Sequence, residues 1–265
     1  MTNDNHDKNT PPGQRGDGKG RENGNSRNQG RGDADEGIRL AKRVAAMAGV
    51  SRREAELLIE NGAVRVDGVA QTLPQSRVLP HQQVEIAAGA KPEPVLPVTL
   101  LLYKPAGMPT DNAHRLLVAA NHHEPERAGQ RFLAVHTKGQ RCMTPLETGA
   151  SGLVAYTQEF RIERKLQEDA GILEHEVMVD VAGPVSPETL ARLERSPARV
   201  SIGRQSDEQT GLRFALKGAQ PGQIAHICDN VALRILAMRR IRIGRVPLAG
   251  LQPGQWRYLA PDERF

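Results

Sequence analysis

From Ile38 onward apolar residues return every three or four positions, at Ile38, Ala41, Val44, Ala45 and Ala48, while Arg39, Lys42 and Arg43 fall on other faces. That spacing predicts an amphipathic helix, closed by Gly49. Ser51 and Glu54 stand at the spacing of a capping box, and Ala55, Leu58 and Ile59 supply the buried stripe of a second helix ending at Asn61-Gly62. The period then drops to two. Val64 and Val66 alternate before an Asp67-Gly68 turn, and Val84 and Ile86 mark a further strand before Gly89. Lys91-Pro-Glu-Pro through Pro97 reads as a stiff polar linker, so a small domain is expected over residues 38–91.

Residues 98–265 alternate strand and helix signals. Thr99 to Tyr103 predicts a buried strand running into Lys104-Pro-Ala-Gly107, and Leu153 to Tyr156 a second one. Phe160 to Glu168 has helical spacing, Val177, Val179 and Val181 alternate, Ser186-Pro187-Glu188 is a helix start with proline at the first helical position, and Leu212, Phe214 and Leu216 alternate again. These signals predict one sizeable α+β domain over 98–265. There is no internal repeat.

Residues 1–37 carry eight Gly and six Asn, and Met1 and Ala34 are their only members of the hydrophobic set, so nothing there offsets the entropy of ordering. A disordered tail is expected. The 265 residues carry 36 Lys plus Arg against 31 Asp plus Glu, a formal +5, and 38% hydrophobic with 25% charged residues is close to the globular average. No apolar run reaches the roughly 18 to 20 residues that span a bilayer, and the polar start lacks the apolar core of a signal peptide, so the expectation is a cytoplasmic protein without a membrane partner, by default a monomer. Cys142 and Cys228 stand in no disulfide or zinc spacing and read as buried small side chains; no metal is expected.

Local charge says more than the total. Arg39, Lys42, Arg43, Arg52 and Arg53 cluster near the starts of the two N-terminal helices, where Ser51 opens an N-terminus with free N–H groups, and Val231 to Pro261 holds six arginines and no acid. Phosphate is the natural ligand of such a surface. An ordinary charged helix surface, or a scaffold whose basic strip takes an acidic protein, are the other readings. Steep salt dependence of RNA binding would separate them.

The stretch RLAKRVAAMAGVSRREAELLIENGAVRVDGVAQTLPQSRVLPHQQVEI resembles the S-four-type RNA-binding domain, whose Ser-Arg-Arg-Glu-Ala and Gly-x-Val-x-Val-Asp-Gly fall here at Ser51 to Ala55 and Gly62 to Gly68. LLYKPAG (Leu101 to Gly107), SGLVAYT (Ser151 to Thr157) and RRIRIGRVPLAGLQPGQWRYL (Arg239 to Leu259) extend the resemblance to the bacterial ribosomal RNA pseudouridine synthases of the RsuA/RluF type. The resemblance implies a pseudouridine-synthase-like domain at 98–265 with a central, mainly antiparallel sheet. It also implies ribosomal RNA, from the large subunit, as partner, and a cofactor-free isomerisation of a flipped-out uridine. It assigns RNA binding to Arg39, Lys42, Arg43, Ser51, Arg52, Arg53, Lys104, Gln223, Arg240 and Arg242.

Departures from that family's pattern fall where the chemistry sits. The loop before Ser151 reads Thr144-Pro145-Leu146-Glu147, with glutamate at the position of the catalytic aspartate and proline at that of its arginine. Val177 stands where a tyrosine stacks on the base, and Ala225-His226 where a helix carries arginines; Gln223 and Ile224 survive. The extra methylene of Glu147 moves its carboxylate by about 1 Å, which can cost on the order of 10²-fold. Losing a base-stacking ring costs roughly 1–3 kcal/mol. Weak or absent activity is therefore expected, with Glu147 the catalytic candidate. His136, Lys138, Arg141, His175 and His226 are the side chains from which a rearranged site could be built, and Tyr103, Tyr156 and Tyr258 the candidate replacement rings, all three fitting strand packing as well.

Overall fold

A computed structural model describes residues 37–123 and 132–265, so the expected tail lies outside the described residues apart from Gly37. The first part runs β1 (Ile38–Arg39), α1 (Leu40–Ala48), α2 (Arg52–Glu60), β2 (Val64–Val66), β3 (Val69–Gln71), β4 (Arg77–Val78) and β5 (Val84–Ile86). The first helix starts at Leu40 rather than Ile38, because Ile38 and Arg39 are extended and pair with Val78 and Arg77. Gly49 closes it at φ 65° in the left-handed region. The capping box of α2 forms in full: the Ser51 N–H donates to Glu54 Oε2 at 2.8 Å, and the Glu54 N–H to Ser51 Oγ at 3.2 Å. β2 is the centre of a three-stranded antiparallel sheet between β3 and β5. Leu40, Val44, Leu58, Ile59 and Val64 form one core with it.

The second part runs β6 (Thr99–Lys104), α3 (Thr110–Ala113), β7 (Arg141–Cys142), β8 (Ser151–Thr157), α4 (Phe160–Glu168), β9 (Glu174–Ala182), α5 (Pro187–Leu193), β10 (Arg199–Gln205), β11 (Gln209–Lys217), α6 (Gln223–Asp229), β12 (Ile235–Ile243), β13 (Val246–Pro247) and β14 (Trp256–Tyr258). One sheet of nine strands has the order β10-β11-β9-β12-β8-β6-β14, with β13 on β12 and β7 on β8. All of its pairings are antiparallel except β12 with β8. The protein is thus α+β with a mainly antiparallel central sheet.

At that parallel pair the two strands approach closely. Arg240 is in register with Gly152 on one side and Val177 of β9 on the other. Gly152 has φ +112°, and a Cβ there would lie 2.3 Å from the Arg240 carbonyl oxygen, so only glycine lets β12 approach. All six residues of β6 are buried, since apolar clusters cover both faces of the sheet's centre: Leu100, Leu102 and Trp256 on one, Leu101, Leu153 and Ile243 on the other. Tyr103, Tyr156 and Tyr258 are all buried in this packing, so none is a free ring for a base.

Candidate active site and RNA-binding surface

The loop from Thr144 to Thr148 connects β7 to β8 and carries Glu147 into a pocket lined also by Pro145, His175, Val177, Gln223, Ile224 and Arg240. Thr144 and Leu146 are buried while Pro145 and Thr148 are exposed, and the buried stretches of backbone need partners. Here each carbonyl from 144 to 148 has one. Arg240 donates Nη2–H to the Thr144 oxygen, Nη1–H to Pro145 O at 3.3 Å, and Nε–H to Leu153 O at 2.7 Å. The Thr110 hydroxyl donates to Leu146 O at 2.6 Å, and the Ala150 N–H to Glu147 O at 3.2 Å. Lys104 Nζ donates to Thr148 O at 3.3 Å and to Met108 O at 2.7 Å, and the Gly107 N–H reaches Thr148 O at 2.8 Å.

Two cations therefore sit under the loop rather than on a surface. Lys104 is 0% and Arg240 3% exposed. Both were expected as RNA contacts, and their burial with donors spent on carbonyls corrects that reading: they support the loop. Burial pushes the Arg240 guanidinium down to about 10 and lowers Lys104, while the Glu147 carboxylate opposes both shifts. Each cation thus carries a charge that Glu147 compensates through space.

Arg242 departs from expectation in another way. Its guanidinium is taken up by Glu174 at 2.7 Å and Glu176 at 2.9 Å, and these acids also pair with Arg199 and Arg213, giving an ion-pair row across β10, β9, β12 and β11. Hydrogen bonding by Arg242 holds Glu174 below the usual carboxylate range; burial opposes ionisation of Glu176, and its bonds to Arg242 and Arg213 outweigh that.

Of the five side chains considered for a rearranged site, only His175 lines the pocket. It accepts from Arg240 Nη1 through Nδ1 at 3.4 Å, which requires the neutral ring protonated on Nε2. Burial, and then Arg240, drive its pKa down to about 3. His136 instead bonds the Tyr258 hydroxyl through Nδ1 at 2.8 Å, Arg141 pairs with Glu163, and Lys138 is exposed and does not line the pocket. His226 lines a neighbouring groove and not this pocket, whereas Gln223 and Ile224 line the pocket. Val177 is buried and gives the pocket an aliphatic wall at the position where the resemblance places the family's stacking ring. Cys228 is buried and Cys142 half-buried. Thr110, which pins Leu146 from both sides, gave no signal in the sequence, because a lone threonine after a turn has no motif of its own.

In the N-terminal part Arg39, Lys42, Arg52 and Arg53 are exposed and Arg43 half-buried. Arg52 and Arg53 share a single acid, Glu56, at 3.6 and 3.5 Å. Such exposed pairs are worth little and leave the donors available. The Ser51 hydroxyl is spent on the cap of α2.

The described residues thus form a helix-helix-strand module with an exposed basic face and an α+β domain with one carboxylate in a pocket. Residues 38–84 match the S4 domain model. The chain is 25% identical over 237 residues to an uncharacterized RNA pseudouridine synthase of Aquifex aeolicus, covering 85% of this chain and 94% of that one. It is 26% identical to ribosomal large subunit pseudouridine synthase B of Bacillus subtilis, over 85% and 93% of the two chains, and 24% identical to the dual-specificity RNA pseudouridine synthase RluF of Escherichia coli, over 86% and 78%. A crystal structure of a pseudouridylate synthase aligns at 17% identity with a TM-score of 0.48, over 84% of this chain and 96% of that one. Residues 38–84 thus carry an S4 domain, and over some 85% of its length the chain is similar to RNA pseudouridine synthases.

Proposed function

We propose that this protein binds structured ribosomal RNA through residues 38–91 and forms pseudouridine at a uridine held in the pocket of residues 98–265, with the Glu147 carboxylate as nucleophile or base. The observation that carries this reading is the full bracing of residues 144–148: a loop with every carbonyl engaged and two buried cations beneath it is built to hold one carboxylate still. By their printed names, the Bacillus subtilis relative is a ribosomal large subunit pseudouridine synthase and the Escherichia coli relative an RNA pseudouridine synthase.

The reaction breaks the bond from ribose C1′ to uracil N1, turns the base, and joins C1′ to C5. The C5 proton leaves and N1 takes up a proton, so no oxidant or other reactant is consumed. With proline at 145 and valine at 177, the turnover is slow. Purified full chain incubated with ribosomal RNA carrying tritium at uridine C5 should release tritium, and Glu147→Ala should release none. Equal release by Glu147→Ala would sink the assignment of Glu147.

Val177 favours a second reading, an RNA-binding or ribosome-assembly factor without turnover, because an aliphatic wall does not hold a flipped base by stacking. That reading expects RNA binding with no tritium release from any ribosomal RNA.

A further inference from the structure

We propose that the groove between α5 and α6 holds the single-stranded RNA flanking the target base, with Arg192 and Arg195 gripping its phosphates. This rests on the reading that the Glu147 pocket receives a base from RNA. The groove is lined by Arg192, Arg195, Ser196, His226 and Asn230, and Gln223 lines both this groove and the Glu147 pocket, so the two adjoin at that residue of α6. A base taken out of its stack must be followed by backbone on both sides, and this groove is where that backbone can run.

Its charge fits that occupant. Arg192 and Arg195 are exposed, and neither pairs with a carboxylate among the described residues, although Glu188, Glu194 and Asp229 lie on the same two helices or at their ends. Arg192 spends one N–H on the Asn230 carbonyl at 2.8 Å, which fixes its guanidinium across the groove and leaves its other donors free. The arginines of the ion-pair row on β9 to β12 are, by contrast, neutralised by Glu174 and Glu176. A planar guanidinium with unspent donors matches a phosphate better than any other backbone group. The floor is rigid: Leu193 and Ile227 are buried beneath the groove, and Ser186 caps α5 by accepting from the Thr189 N–H at 3.1 Å. Asn230 and His226, 3.2 Å apart, add further polar groups to its lining.

The test uses the full chain and a fluorescein-labelled oligouridylate titrated over a range of salt concentrations. Arg192→Ala/Arg195→Ala should weaken binding about tenfold and lower the slope of log affinity against log salt by about 1.4, two single-strand phosphate contacts. Arg192→Lys/Arg195→Lys should keep most of the slope, which separates charge loss from misfolding. Wild-type affinity and slope in the double alanine variant overturn the proposal, as does displacement of the probe by polyglutamate as effectively as by unlabelled oligouridylate. If the slope falls as expected while no variant or wild type releases tritium from ribosomal RNA, the catalytic reading fails and the groove stands.

Discussion

The two parts of this protein use the same residue types in opposite ways. In residues 38–60 the cations stand on the outside of two short helices, and only Glu56 pairs with Arg52 and Arg53. In residues 98–265 Lys104 and Arg240 are packed under a loop with their N–H groups spent on backbone carbonyls. Sequence motif alone ranks all of these as RNA contacts. Burial separates them: an exposed cation trades water for phosphate, whereas a buried one whose donors are satisfied can only position what lies above it.

The largest expected effect breaks that contrast directly. Arg240→Ala removes the donors of three carbonyls and opens a cavity between Gly152 and Val177, so it should cost about 3–5 kcal/mol in urea denaturation and abolish activity. A loss under about 1 kcal/mol would mean that the loop is not held from below.

A smaller effect comes from acid. His175 has a folded-state pKa near 3, far below an ordinary histidine, so the unfolded chain takes up a proton near pH 6.5 that the folded chain refuses. Its contribution is full above about pH 6.5 and is lost as pH falls toward 3, at up to about 1.4 kcal/mol per pH unit. Burial shifts His136 in the same direction, and the lowered carboxylates Glu174 and Glu176 add their own loss below the ordinary glutamate range. Unfolding free energies from pH 7 to 5 should fall by roughly 2 kcal/mol, and His175→Gln should flatten part of that fall. A flat profile in the wild-type protein would contradict a neutral buried His175.

For the exposed group the balance reverses. Arg52→Ala/Arg53→Ala should change stability by no more than about 0.5 kcal/mol, yet lower the salt slope of ribosomal RNA binding by between about one and two. Unchanged affinity and slope would remove RNA binding from the basic face of α1 and α2. Smallest of all is Glu147→Asp. Shortening the carboxylate restores one group while Pro145 and Val177 remain, so the rate of tritium release should change by less than about tenfold.

Much of the fold could be read from the pattern of residues because local rules and packing agree there. The capping box at Ser51 and Glu54, the helix at Phe160–Glu168 and the strand at Thr99–Lys104 each combine the right period with a clear stop. The start of α1 was missed because Ile38 and Arg39 pair with Arg77 and Val78, a contact across 40 residues that no local period carries. β10 was missed for a similar reason: Arg199 to Gln205 is half exposed and polar, and only its partner β11 makes it a strand. At the site, Glu147, Pro145 and Val177 could be placed by motif, and the structure brings them to one pocket. The burial of Lys104 and Arg240 could not be read, because a buried cation satisfied by carbonyls leaves no acidic partner in the sequence to announce it. Thr110 and the cations Arg192 and Arg195 were invisible for the same reason, since their significance lies in what folds beside them.

The central claim is that this loop still presents a working carboxylate to ribosomal RNA. Mapping every pseudouridine in ribosomal RNA from cells with the gene, without it, and with only Glu147→Ala tests that claim most directly. The expected result is a uridine converted in the first cells and unconverted in the other two. An identical map in all three, from cells whose protein still binds ribosomal RNA, would contradict it and leave a binding factor in place of an enzyme.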